Sequence, residues 1–194
     1  NLSGDDGVLK ATLPFTFKFY GTNYTSVNID NNGLLSFATP GKNDWINQAI
    51  PATGAPNAGI YAFWDDLVVS PSGSVRTETV GTAPNRQYVV EWRNVYVFGA
   101  QQKLFSVEAI LGENGTVTFA YTGDMSIAVN QGSSATVGIE NAAGTVALRY
   151  LYNSATLHSG DGLVITPPGT TTPATGSITG TVTAAGTPIS GAAV

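Results

Sequence analysis

Residues Arg86–Phe98 read RQYVVEWRNVYVF, and residues Lys103–Gly123 read KLFSVEAILGENGTVTFAYTG. Tyr88, Val90 and Trp92 alternate with Val89, Glu91 and Arg93. Phe105, Val107, Ala109 and Leu111 alternate with Ser106, Glu108 and Ile110, and Val117, Phe119 and Tyr121 continue the pattern. Successive side chains of a strand point to opposite faces, so a period of two puts each apolar set on one side of a sheet. Asn114-Gly115, between the last two runs, is a hairpin signal because both residues accept the positive φ of a type I′ turn. The stretch predicts three consecutive antiparallel strands.

The same period extends outward in both directions. Phe15, Phe17 and Phe19 alternate with Thr16, Lys18 and Tyr20; Val137 pairs with Ile139; Val146, Leu148, Tyr150 and Tyr152 form a last apolar set. Asn32-Gly33 is a second type I′ signal, and Ser70-Pro71-Ser72-Gly73 and Asn141-Ala142-Ala143-Gly144 read as tight turns. No stretch of eleven residues holds helical spacing without Gly, Pro or β-branched interruption. The expected fold is all-β: a two-sheet antiparallel sandwich, jelly-roll or Ig-like, of about ten to twelve strands with little or no helix. The segment Thr39–Ala58 carries no strand pattern, and so long a loop in a compact β domain is functional or tied down by its own side chains.

Near Thr166 the composition changes. Residues 1–166 form the expected domain; Pro167–Gly176, PPGTTTPATG, is an extended spacer. Ser177–Val194, SITGTVTAAGTPISGAAV, regains alternation and turns at Gly186-Thr187-Pro188. It is expected to be the start of a second β module, Ig-like, truncated or docked on the first domain. The chain opens on Asn1 without an initiator Met or leader, so it is expected to be a piece of a longer protein.

Composition excludes several chemistries. Without cysteine there is no disulfide, thiolate zinc site or cysteine nucleophile, and the single histidine, His158, rules out a site needing two imidazoles from one chain. A net charge of −5 disfavours nucleic acid and anionic membrane, and no apolar run approaches the ~20 residues of a membrane helix. Charged residues are 11% of the chain, against roughly 25% in ordinary soluble domains. Thr, Ser, Asn and Gly must cover the outer faces.

Three segments together resemble the nidogen-like domain in its bacterial form. LPFTFKFYGTNYTSVNIDNNGLLSF (Leu13–Phe37) resembles its opening aromatic strand, Phe-Tyr-Gly turn and strand into Asn-Gly. AGIYAFWDDL (Ala58–Leu67) resembles its buried Phe-Trp-acidic segment, and Arg86–Gly123 its paired strands; GIENAAGTVALRY fits bacterial versions. The tail Ser177–Val194 resembles the first strands of a carboxypeptidase regulatory-like or Ig-like repeat. The resemblance implies an extracellular, non-catalytic β domain of adhesion proteins or one appended to secreted bacterial enzymes such as peptidases.

Several residues are candidates for chemistry. Asp65 and Asp66 follow Trp64, and hard cations such as Ca²⁺ take several carboxylate and carbonyl oxygens; Asp44, Asp30 and Asp5-Asp6 are further contributors. The alternative is one Asp accepting backbone N–H groups in a turn while the other is solvated. Trp45 stands in the long loop beside Lys42, Asn43, Asp44 and Asn47, the mixture a sugar or peptide contact uses, or else it is an apolar anchor for that loop. Glu91 and Glu108 lie mid-strand on the polar face, where two carboxylates about 5–5.5 Å apart would suit retaining glycoside hydrolysis; the alternative is pairing with Arg93, Lys103 or Arg149. His158, with Asp161 three residues on, reads as a solvated loop histidine.

The expected function is a non-catalytic accessory or adhesion module of a larger secreted or surface protein. It would bind an extracellular protein or glycan, contact neighbouring domains of its parent, or position an attached enzyme. A carbohydrate-binding module using Trp45 is the second reading, and a glycosidase using Glu91 and Glu108 the third.

Overall fold

The computed structural model describes residues 2, 4–39, 44–101 and 103–167, and the backbone of 183–184 and 187–188. Its strands are β1 (Val8–Phe19), β2 (Thr22–Asp30), β3 (Leu34–Ser36), β4 (Gly59–Trp64), β5 (Leu67–Val80), β6 (Gln87–Val97), β7 (Phe105–Gly112), β8 (Val117–Gly123), β9 (Thr136–Glu140), β10 (Ala147–Tyr152), β11 (Gly162–Ile165), β12 (Thr183–Ala184) and β13 (Thr187–Pro188). Two antiparallel sheets form a sandwich, a six-stranded one in the order β1-β2-β3-β4-β9-β10 and a five-stranded one in the order β11-β8-β7-β6-β5. β12 and β13 pair with each other. Of the expected spacer Pro167–Gly176 only Pro167 is among the described residues, and the rest of the expected second module also lies outside them.

The opening stretch forms the predicted meander. Register places Trp92 beside Val107 and Val107 beside Tyr121, and Val90 beside Ala109 and Ala109 beside Phe119. All six are buried in the main core with Phe15, Phe17 and Phe19 from the opposite sheet. Polar atoms cross this core as well. Trp92 Nε1 donates to the Asp30 carbonyl at 2.7 Å, and the Tyr121 hydroxyl donates to the Ala62 carbonyl at 2.8 Å. Each bond joins the five-stranded sheet to the six-stranded one, so the sandwich is held in register as well as by burial.

Three local expectations are corrected. At both Asn-Gly pairs only the glycine has positive φ, Gly33 at 74° and Gly115 at 88°, so neither turn is type I′. Around Gly115, the Gly115 N–H bonds the Gly112 carbonyl at 2.8 Å and Gly112 N–H bonds the Thr116 carbonyl at 2.9 Å. This is a type I turn closed by a left-handed glycine, and Asn114 instead accepts the Thr116 N–H through its side chain.

Ser70–Gly73 is no turn but a bulge inside β5, where register jumps from Val69 to Ser74 while β6 advances only from Val95 to Arg93. Pro71 has no N–H to give, and an edge-strand bulge is where that lack is tolerated. Leu2 and Gly4 bridge Val75 and Val69 on the same strand, covering its outer edge.

The third correction concerns β10. Val146, Leu148, Tyr150 and Tyr152, expected as a core set, are exposed by 55%, 54%, 51% and 39%. A register shift between Arg149 and Leu151 changes the phase, and Leu151 takes the core position beside Val137. Asn141–Gly144, by contrast, is the expected tight turn, with Asn141 Oδ1 accepting the Thr145 and Val146 N–H groups.

Candidate functional site

The long loop before β4 is tied to the outer face of the six-stranded sheet. Trp64 Nε1 donates to the Asp44 carbonyl, Thr136 Oγ1 donates to the Gln48 carbonyl at 2.7 Å, and Asn47 Nδ2 donates to Asn153 Oδ1 at 2.8 Å and Thr136 Oγ1 at 3.2 Å. Under the loop Leu34, Ile50, Tyr61 and Trp64 form a second, smaller core, with the Tyr61 and Trp64 rings stacked at 5.0 Å. Every residue of β4 is buried because the main core covers one face and the loop covers the other.

Trp45 is 41% exposed and Ile46 52%. The anchor role is performed by Trp64 and Ile50, while Asp44 is buried and Asn47 spends its amide inside the fold. Asn43 and Lys42 lie outside the described residues.

Glu140, fully buried at the end of β9, fastens the same loop. Its Oε1 accepts the Ala52 N–H, and Oε2 lies 3.0 Å from the Tyr61 hydroxyl, which also reaches the Pro56 carbonyl. Burial pushes the Glu140 carboxyl above its ordinary value, against the opposing pull of the Ala52 and Tyr61 hydrogen bonds. A raised folded-state value means that Glu140 contributes stability fully below its unfolded value and loses it as pH rises through the folded one. In Glu140→Gln, Oε1 keeps the Ala52 bond and Nε2 donates to Tyr61, whose proton goes to Pro56. The Gln variant is expected to gain stability relative to wild type as pH rises from about 4 through the raised Glu140 value, read from urea midpoints. A constant gap would show that Glu140 does not titrate in that window.

Acidic groups gather where the β2–β3 turn, the β4–β5 link and the N-terminal turn meet. Asp65 is buried: Oδ1 accepts the Asp66 N–H at 2.9 Å and Oδ2 the Ser134 hydroxyl at 2.6 Å. Burial lifts it to about 6. Asp30 is also lifted by burial to about 6, with Asp44 and Asp6 adding repulsion. Asp66 turns away from Asp65 and meets Asp5 and Asp6, with ligand oxygens of the three within 4.8 Å of one another. Burial, then the charges of Asp5 and Asp6, raise Asp66. The expected Asp65–Asp66 pair is thus divided between two jobs.

Glu91 and Glu108 are direct cross-strand neighbours on the outer face of the five-stranded sheet, where Cβ atoms stand about 4.5–5.5 Å apart. Among the described residues neither forms an ion pair; Lys103 binds Asp124 at 3.1 Å instead. Burial and the Glu91 charge raise Glu108. Their nearest neighbours outward are Ala120, beside Glu108, and Arg76, beside Glu91, whose Nε donates to Ser74 Oγ. His158 is exposed, its backbone N–H donating to Asp161 Oδ2 at 2.8 Å.

Sequence reasoning missed an apolar groove of about 460 Å³ between β10 and β11, the last strands of their respective sheets. Phe19, Val117, Ile139, Leu148, Ile165 and Pro167 line it. Leu148 pairs with Ile139, and Ile139 with Ile60 of the core, so Leu148 faces the space between the sheets. The four-residue β11 does not cover it. The signal was present in VALRYLY, five large apolar residues at the end of the domain, but alternation alone does not say which strand is an edge.

The chain matches the family described as NIDO related over residues 1–182. It belongs to that family. No curated protein and no solved structure matches it. The resemblance of the tail to a carboxypeptidase regulatory-like repeat finds no support in these comparisons.

In this NIDO-related chain the segments that carried the resemblance chiefly build the core. Phe15, Phe17, Phe63, Trp92 and Phe119 are all buried there. The Phe19-Tyr20-Gly21 turn is different, since it forms one wall of the groove. Among the described residues no helix is long and apolar enough to cross a membrane.

Proposed function

We propose that this NIDO-related chain is a non-catalytic accessory module of a larger extracellular protein, and that it holds the polypeptide continuing past Pro167 against the groove between β10 and β11. The observation that carries this reading is the groove itself. Leu148 and Val146 are more than half exposed beside the buried Phe19 and Val117, and an uncovered apolar wall flanked by two strand edges is the usual seat of an extended segment. Thr166 and Pro167 line the same groove. Whatever follows them is tethered at its mouth, which raises its effective concentration there.

A photo-crosslinker at Leu148, with one at the exposed Glu78 as control, tests the proposal. Irradiation of the full chain should give concentration-independent adducts from position 148 to residues beyond Pro167 and none from position 78. Absence of adducts, adducts only between copies, or the same adducts from both positions would overturn it.

The glycan-binding reading draws support from Trp45, an exposed indole on an anchored loop. Ile46 beside it is equally bare, and Asn47 is committed internally, which suits an apolar protein contact better than a sugar. Binding on a glycan array that disappears in Trp45→Ala would reverse that preference.

A further inference from the structure

The β1–β2 hairpin turns on two residues, Tyr20 and Gly21, between the paired Phe19 and Thr22. Their φ values are 45° and 84°, which makes this the type I′ turn that the two Asn-Gly pairs do not form. Such a turn favours Asn-Gly, because asparagine tolerates the left-handed region and a bulky aromatic residue does not. A tyrosine held there costs roughly 5–30-fold in the folding equilibrium. Burial does not offset that cost in the usual way, since Tyr20 belongs to neither hydrophobic core and is 42% exposed. Its ring stands edge-on to Phe19, centroids 4.9 Å apart and planes at 87°, and its hydroxyl donates to the Ile139 carbonyl on β9 at 3.4 Å. Phe19 and Ile139 both line the groove between β10 and β11. The strained residue therefore carries its ring from one groove wall to the other, and backbone strain of this kind clusters at binding sites.

We propose, on the reading that the groove holds the chain past Pro167, that Tyr20 selects the occupant by taking the proline rings of Pro168–Pro173 against its aromatic face. Pro167 already stands at the hairpin. A Cβ built on Gly115 would lie 3.0 Å from Pro167 Cγ and 3.6 Å from the carbonyl oxygen of Lys18, two residues before Tyr20. The chain that follows reads PGTTTP over 168–173, and no charged residue occurs from Pro168 to Val194. Proline-rich runs favour the extended polyproline II backbone, which docks on aromatic side chains with little ordering left to lose. A segment without charge also enters an apolar groove without desolvating an ion.

The test uses the full chain with the photo-crosslinker at Leu148, in the wild-type background and in three variants. Tyr20→Asn suits the turn but removes the ring. Its adducts to residues beyond Pro167 should fall at least about fourfold, the effect of losing one buried CH₂. Its Tm should stay within about 4 °C of wild type, because relief of the backbone strain offsets the lost contact with Phe19. Tyr20→Phe keeps the ring and should keep the adducts. Pro168→Ser combined with Pro173→Ser should lower them as Tyr20→Asn does, with the hairpin itself untouched. Adducts in wild type that persist undiminished in Tyr20→Asn or in the double proline variant would overturn this proposal alone. A fall in Tm beyond about 4 °C in Tyr20→Asn would make Tyr20 a structural anchor and overturn it as well. Absence of adducts in wild type would overturn both this proposal and the groove reading beneath it.

Discussion

Trp92→Ala is expected to cost about 3–5 kcal/mol of folding free energy, a large share of the ~5–15 kcal/mol that holds a domain of this kind together. The indole is fully buried between Val107 on its own sheet and the facing strands, and its removal leaves a cavity that two pleated sheets do not collapse to fill. It also removes the only side-chain donor recorded to the Asp30 carbonyl among the described residues. Trp92→Phe separates the two contributions. It keeps the six-membered ring, so its cost, about 1–3 kcal/mol, reports mainly the hydrogen bond lost at the Asp30 carbonyl. Urea unfolding at fixed pH measures both; a loss below about 1 kcal/mol for the alanine variant would contradict the packing described.

Gly33→Ala is expected to be nearly as damaging for a different reason. The residue has φ of 74°, and a Cβ there would stand 2.0 Å from the Phe63 carbonyl oxygen. That oxygen belongs to β4 backbone and is not a flexible tip. The Gly33 carbonyl in turn accepts both the Ala62 and Phe63 N–H groups, at 3.0 and 3.1 Å, which marks a bulge in β4. Moving β4 away would break that bulge and disturb both cores, so a loss of about 4 kcal/mol or more is expected. Gly21→Ala is the control. Its φ is 84°, but nothing lies within 4 Å of the added Cβ, so only the left-handed backbone cost of about 1–2 kcal/mol remains. Equal urea midpoints for the two variants would show that conformation, not contact, governs Gly33.

Both predictions start from residues whose importance the sequence suggests unevenly. Trp92 and Trp64 both sit in strongly apolar stretches, and neither stretch says what its indole will meet. Trp92 joins the two sheets, whereas Trp64 faces outward beneath the long loop and bonds the carbonyl of Asp44, twenty residues earlier in the chain. Gly33 looks like half of a turn signal. Its real constraint is the approach of β4, which follows after the long loop.

The candidate sites divide along the same line. Asp65 and Asp66 were visible as a pair, and their different orientations are set in the β4–β5 link, where Asp65 folds back to accept the Asp66 N–H. Their partners did not follow: Ser134 is far along the chain, and Asp5 and Asp6 arrive through an N-terminal segment that bridges β5. Glu91 and Glu108 were correctly placed on neighbouring strands because a meander keeps consecutive strands adjacent.

The groove depends on one register shift in β10 and on β11 being short. Neither leaves a mark on local composition.

By itself, the sequence determined the all-β class, the meander of β6, β7 and β8, the aromatic core and the long stretch without strand pattern before β4. These follow from a period of two and from turn residues, which act over a few neighbours. The tertiary structure alone decided which strands became edges, where bulges shift the phase, that the loop covers a second core, and which acids meet. Each depends on contacts between segments distant in the chain, whose free energy is set by burial and hydrogen bonding after the sheets have paired.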